Sequence, residues 1–560
     1  MSSRLTILPP HFPSVSSVRL ARDLWKLVPY IWHYDVKYVS MFILSTFVVL
    51  LVSISALVAL RLARPGVSYT WLAAAAGGVL AWISVILWQA KLPQQFSLGV
   101  WSPQMLAGAS PQFSLNSYSW LFAFGLSALA AAVILTSPAR AGESGVPSWL
   151  GTLAFTALGL LAVLVDNLTS LVLVWMALDL AEFTISMRPQ LSPKLSEAAV
   201  AAFSVRLVGT GLAIWASVVG ALSGQTFLLE SVPPAAGFYL LLAAGLRLGV
   251  LPLYVASQGE RSLGRGFGTV LRISTLAASL VVLTRLPASA VDPRWRLLLL
   301  TITALAALYG AWKWLSAVDE LSGRPFWLIG MGAFAFAATL AGNAGGAAAW
   351  AAALLLFGGI SFLYSARQVW FTRLFAVLGL LLLGLPFTLT ASGWQTGFPL
   401  PFVFWPVFVA SQAMLAAGYI RHLFGVGDAQ LGDLPRWAQA AYPIGMAVLV
   451  ASLVLAGLWG WPGAMNVGVW GAGLAVLLLA AAIVTALLRL PLFAPSANGS
   501  QVAPGLRWIV LLRLFPRLLG WLIRLAGQFL IYASGLFEGD GGLLWTLLLL
   551  VLLASFLRGR

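Results

Sequence analysis

Cysteine is absent from this 560-residue chain, and histidine occurs three times, at His11, His33 and His422. Without thiols there can be no disulfides, thiolate metal sites, iron–sulfur ligands or cysteine nucleophiles. The redox compartment is left open. The histidines are far apart, and only His33 has a carboxylate close by, at Asp35, which is too few ligands for a metal centre. The sequence therefore offers no catalytic residue, no cofactor site and no metal site, and any redox chemistry would belong to a partner. Charge is equally scarce. Asp, Glu, Lys and Arg make up 9% of the residues, against roughly 25% in soluble domains.

What the chain has instead is apolar side chain, 61% of its residues. No water-soluble fold hides that much. Apolar stretches of about 20 residues recur, the length a helix needs to cross a hydrocarbon core of roughly 30 Å, whereas barrel strands would show short alternating segments. The expected fold is an all-α polytopic membrane protein with about 14–16 transmembrane helices. Spans are read near 38–60, 69–88, 119–136, 149–165, 168–187, 199–222, 235–255, 269–285, 297–316, 325–342, 346–364, 370–391, 400–420, 441–460, 466–487 and 543–557. Residues 1–37 form a polar N-terminal tail with no cleavable signal pattern. At 507–535, arginines recur among Trp508, Leu512, Phe515 and Trp521, which reads as an amphipathic helix along the membrane surface before a final span.

The net charge of +16 would suggest nucleic acid in a soluble protein. Here the basic residues alternate by loop, so no nucleic acid is expected. Arg61, Arg64, Arg140, Arg188, Lys194, Arg261, Arg265, Arg324, Arg367, Arg373, Arg421 and Arg436 fall on one side, and Lys91, Arg285, Arg294 and Arg296 on the other. The positive-inside rule makes the first side cytoplasmic. The tail's Arg4, Arg19, Arg22, Lys26 and Lys37 would then lie outside, which conflicts with the same rule. An internal echo also appears: Gly249-Val250-Leu251-Pro252 in one span resembles Gly384-Leu385-Pro386 in another. Proline within a span frees backbone carbonyls, and paired broken helices are how many transporters build midplane sites.

Charges at membrane depth cost about 2.5–3.5 kcal/mol on insertion scales, so each calls for a partner or a function. The candidates for a proton or ion path, or for buried ion pairs, are Asp166, Asp179, Glu182, Arg206, Arg247, Arg272 and Lys313. Asp179 and Glu182 are three apart and share a helix face. For Asp179 the favoured reading is a buried pair with Arg206, Arg247 or Arg272, and the alternative is a titrating proton site. Glu182 lies near a span end, where it could instead reach water. Arg247 can bias a neighbour's charge but cannot release its own proton. Lys313, between Trp312 and Trp314, reads as snorkelling to an aromatic interface, with a relay role as the alternative.

The order of these residues resembles the antiporter-like membrane subunits of respiratory complex I (NADH-quinone oxidoreductase) and of multisubunit Mrp-type cation/proton antiporters. Leu164-Val165-Asp166-Asn167 followed by Trp175 is similar to the family's Asp-Asn to Trp-Glu stretch. Trp101-Ser102-Pro103, the run Phe113 to Ser119, and Arg206-Leu207-Val208-Gly209-Thr210 resemble further elements. Arg247-Leu248-Gly249-Val250-Leu251-Pro252-Leu253 stands where the family has Lys-Ser-Ala-Gln-Phe-Pro-Leu, and Arg272 stands where it has histidine. The family's glutamate after tryptophan is Met176 here, with Asp179 one turn on. Its next relay falls on Trp350, Leu354 and Gly358, and its last titratable residue on Trp394.

The resemblance implies two inverted five-helix repeats with helices broken near Pro252 and Pro386. The domain reading is leading helices at 38–118, a first repeat at 119–285, a second, degenerate repeat at 286–424, trailing helices at 425–506, the surface helix at 507–535 and a final span at 536–560. It also implies a subunit of a complex-I-like assembly associated with proton or cation translocation, at most a non-redox subunit of a proton-translocating oxidoreductase. Its pumping residues are degenerate, which leaves a structural or coupling role. The expected partners are other membrane subunits and the lipid bilayer, and the expected location is a bacterial inner (cytoplasmic) membrane. The alternative is a self-standing secondary transporter with a midplane site.

Overall fold

The computed structural model describes residues 41–63, 70–97, 110–140, 145–187, 193–222, 228–251, 263–395 and 401–489 apart from 426 and 428, together with Gln528. The tail at 1–37, Pro252, the stretch read as a surface helix at 507–535 apart from Gln528, and the final span lie outside the described residues.

Two helices form the centre, α3 (Ser117–Thr136) and α11 (Ala344–Leu363). Both are apolar all round, and their membrane-length windows are completely enclosed, as expected of helices surrounded by other helices. Beside them lies α8 (Phe267–Arg285). The first helices, α1 (Met41–Ala63) and α2 (Thr70–Trp88), pack together, and α2 packs on α3. Then follow α4 (Val146–Val163), α5 (Leu168–Ser186), α6 (Pro193–Leu222) and α7 (Pro234–Leu248); α4, α5 and α7 pack on α8, and α6 packs on α5 and α7. The later part comprises α9 (Pro293–Ser316), α10 (Glu320–Leu340), the short α12 (Val369–Leu378), α13 (Phe404–Leu423), α14 (Arg436–Leu458) and α15 (Trp470–Arg489). Among the described residues, 11 helices are long and apolar enough to cross a membrane. The architecture is the all-α polytopic one expected from the sequence.

Local sequence sets the helix starts. Asn116 accepts from Ser119 N, and Asn167 and Asp319 each form a reciprocal capping box with the serine three residues on, Ser170 and Ser322. These side chains satisfy amide donors that the first helical turn leaves unpaired. Small residues bring helices together: a Cβ on Gly310 of α9 would lie 2.6 Å from the backbone nitrogen of Gly330 in α10, so these two backbones touch at glycine.

Two small sheets mark the ends of the bundle. At one end β1 (Gln94–Ser97) pairs antiparallel with β2 (Gln112–Leu115), and Phe113 bridges to Val165. At the other, β3 (Ala366–Arg367) runs parallel to β4 (Ala429–Gln430), tying together two loops of the arginine-rich side.

Two spans differ from the sequence reading. The span read at 235–255 stops as a helix at Leu248, where Gly249 takes a left-handed conformation with φ 71°. The span read at 370–391 stops as an α-helix at Leu378, tightens into a 3₁₀ turn at Gly379–Leu382, and reverses at Gly384 with φ 70°. The echo in the sequence is thus an echo in the backbone. Each break carries a glycine that adopts positive φ without steric penalty, two to three residues before its proline.

Candidate polar core and helix breaks

The charged side chains of α5, α6, α7 and α8 meet in one connected group. Asp179 of α5 is 1% exposed. Arg247, on the last turn of α7, grips it with both terminal nitrogens, Nη1 to Oδ2 at 2.5 Å and Nη2 to Oδ1 at 2.8 Å. The rest of that guanidinium is also occupied: Nε donates to Ser279 Oγ at 3.3 Å, Nη1 reaches Thr210 Oγ1 at 3.4 Å, and Cζ stacks 4.3 Å from the Trp175 ring centroid. Trp175 is itself fixed by donating to the Ala278 carbonyl at 3.2 Å. Gly209 makes room, since a Cβ there would sit 3.1 Å from Arg247 Cγ.

One turn further along α5, Glu182 receives both terminal nitrogens of Arg206, with Nη2 to Oε1 at 2.7 Å, and also Nη1 of Arg272. Arg206 Nη1 lies 4.0 Å from Asp179 Oδ1. The ions therefore run as one chain: Arg247, Asp179, Arg206, Glu182, Arg272. Glu182 is 3% exposed, so the reading in which it reaches water gives way. The reason is tertiary: α6 and α8 close over the end of α5 and supply two guanidinium groups. Met176 is 47% exposed and outside the network. Bidentate pairs of this kind have fixed geometry as well as strength. Every cation in this ion network is an arginine, which keeps its proton at any physiological pH.

Asp166 is bound elsewhere. Its partner is Arg285, the last residue of α8, at 2.7 Å. Arg285 also donates to Ser114 Oγ at 2.5 Å, the Ser114 carbonyl at 2.7 Å, Ser119 Oγ at 2.6 Å and the Val163 carbonyl at 3.4 Å. Sequence reasoning placed Arg285 in an outer loop. The structure buries it and uses it to pin β2, α3, α4 and the entry to α5. The signal that could have found it is Asp166 itself, a buried carboxylate needing a cation at the same end of the bundle.

The second helix break has a different chemistry. The Leu382 carbonyl, at the end of the 3₁₀ turn that follows α12, accepts from Gln412 Nε2 at 2.5 Å, and Gln412 Oε1 accepts from Trp394 Nε1 at 2.8 Å. Thr390 Oγ1 accepts from the Gly384 amide and donates to the Leu381 carbonyl, both at 3.0 Å. In α11, Trp350 donates to the Gly393 carbonyl, and Trp327 of α10 donates to the Leu354 carbonyl beside Gly358. No described residue in this second centre carries a charge. Gln412 was missed in the sequence, being one uncharged residue in an apolar span. Gln412→Leu is expected to orphan both the Leu382 carbonyl and the Trp394 indole, each costing about 1–3 kcal/mol. A lowered unfolding temperature in detergent, with the Arg247 region unperturbed, checks this.

Solved structures with a similar fold include chains of three membrane complexes. The chain aligns with one from the Mrp complex of a Dietzia species at TM-score 0.61 and 18% identity, covering 91% of this chain and 62% of that one. It aligns with one from the membrane-bound sulfane sulfur reductase, an archaeal respiratory membrane complex, at TM-score 0.59 and 17% identity, covering 91% and 99%. A chain of respiratory complex I from Thermus thermophilus gives 0.54 and 18%, covering 79% and 99%. The fold is the antiporter-like fold. No family model and no curated protein sequence matches, so the likeness lies in the fold. The chain spans less than two thirds of the Mrp chain's length.

Within this antiporter-like bundle, Lys313 stands apart from the polar core. It sits near the end of α9, part-buried, with Nζ 5.9 Å from the Tyr309 ring centroid. Arg265 and Arg324, read as loop cations, are buried at the same end: Arg265 pairs with Glu320 at 2.5 Å, while Arg324 donates to the Gly264 carbonyl and to Thr269.

Proposed function

We propose that the chain is an antiporter-like membrane subunit of a complex-I-type or Mrp-type assembly, in which its polar core acts as a fixed electrostatic brace and not as a proton carrier. The observation that carries this reading is the Arg247–Asp179 pair. Where the family has lysine there is an arginine, locked bidentate to a buried carboxylate, stacked on Trp175 and fitted against Gly209. A group that relays protons must gain and lose them, and a guanidinium does not. The uncharged second break extends the argument, because Trp394 and Gln412 satisfy one another and the freed backbone without a titrating group. The chain's part in the assembly is then structural, or mechanical coupling, through a rigid bundle.

The two helix breaks with positive-φ glycines at Gly249 and Gly384 support a division into a first repeat at 119–285 and a second at 286–424. The proposed partners are other membrane subunits, and the proposed location is a bacterial inner membrane, with the arginine-rich loops inside. Affinity purification of the full chain from its host in mild detergent tests the assignment. Stoichiometric co-elution with further membrane subunits is the expected result. A lone chain that moves substrate when reconstituted in liposomes would instead identify a self-standing transporter.

A further inference from the structure

A cleft of about 730 Å³ opens at the arginine-rich end of the bundle, between the start of α12 and the loop that follows α13. Its polar lining includes Arg367, Gln368, Arg373, Gln430 and Gln439, and no carboxylate lines it among the described residues. Arg367 is built in. It donates to the last carbonyls of α13, at His422 and Leu423, at 3.0 and 2.8 Å, and stacks 4.5 Å from the Tyr364 ring centroid. Glu320 lies 3.7 Å away and offsets only part of its charge, since Glu320 is already paired with Arg265. The Nε of Arg367 is buried with no hydrogen-bond partner.

Arg373 is the second cation, and it is exposed and makes no hydrogen bond or ion pair with the described residues. It sits on a stripe with Val369, Val377 and Leu380, spaced four, four and three residues apart and therefore on one helix face. Those three side chains are exposed, as are Trp370 beside them and Phe424 on the opposite wall. A lone arginine in an exposed apolar stripe, next to an interfacial tryptophan and a cationic cleft with amide donors, has the order of a phospholipid: acyl chains below, phosphate above. The volume lies within the range of small-molecule sites.

We propose that this cleft binds the phosphate headgroup of an anionic membrane phospholipid, with Arg373 and Arg367 as its cations and the α12 stripe as the bed for its acyl chains. The proposal requires only that the chain is in a membrane. It does not depend on the subunit assignment. Arg367 also caps α13, so the decisive variant is Arg373→Gln, whose side chain supports nothing else in the fold. The full chain, purified in mild detergent, is titrated with cardiolipin, with phosphatidylcholine and with inorganic phosphate, and bound lipid is counted by native mass spectrometry. Cardiolipin should be retained several-fold over phosphatidylcholine. Arg373→Gln should lose about fivefold in that preference, as expected for one surface cation, and Arg373→Lys should keep most of it. Equal retention by wild type and Arg373→Gln would overturn the proposal. So would full displacement by inorganic phosphate, which would mark a small-anion site, or a crosslink from position 373 to a partner subunit that excludes lipid.

Discussion

Arg247→Gln is expected to deplete the assembled protein from the membrane, with the residual chain unfolding at markedly lower temperature than wild type. Removing the guanidinium leaves Asp179 buried without its bidentate partner, facing only the more distant Arg206. Breaking a buried pair from one side costs about 3–5 kcal/mol, because the remaining charge is uncompensated, and total stabilities are themselves only about 5–15 kcal/mol. Asp179→Asn/Arg247→Gln, which removes both charges together, should recover most of the loss. Replacing both members of a buried pair with neutral groups is far milder than removing one. Membrane yield and detergent unfolding curves of the two variants, compared as a cycle, measure this. Equal losses in the single and double variants would show that the charge balance is not what matters there.

Arg285→Met is the second large expectation. That side chain makes five hydrogen bonds, to Asp166, Ser114, Ser119 and Val163, and its loss unpins β2, α3 and α4 at once. Asp166 would keep only Ser114 Oγ, at 2.9 Å, as a side-chain donor. The cost should again reach about 3–5 kcal/mol. Asp166→Asn should be milder, since the guanidinium retains Ser114, Ser119 and the Val163 carbonyl. A thermal-unfolding series in detergent ranks the two. If Asp166→Asn proved the more damaging, the arginine would not be the organising member.

Much of this was legible in the sequence, for physical reasons that also explain the gaps. Span positions follow from apolar length, which is why α3 and α11 lie close to where hydropathy puts them. The carboxylates at Asp179 and Glu182 stand out because charge at that depth demands a partner. Which arginine goes with which carboxylate depended on helix rotation, and three candidates remained for Asp179 until α7 and α6 were placed. Arg285 was assigned to a loop because a cation at a helix end looks the same whether it faces water or a buried aspartate. Gln412 left no trace, since a neutral amide hardly changes a span's hydropathy. The breaks were expected near the two prolines; the first helix stops at Leu248, just before Gly249, and the second at Leu382, two residues before Gly384. Proline clashes with the turn before it, and a preceding glycine can end the helix there at little cost.

In the proposed function the Arg247–Asp179 pair holds the bundle together and carries no protons. The most direct test is proton uptake per assembled complex in Asp179→Asn/Arg247→Gln, measured in proteoliposomes against wild type and normalised to assembled protein. The wild-type rate per complex is expected. An assembled double variant with proton uptake abolished would contradict it.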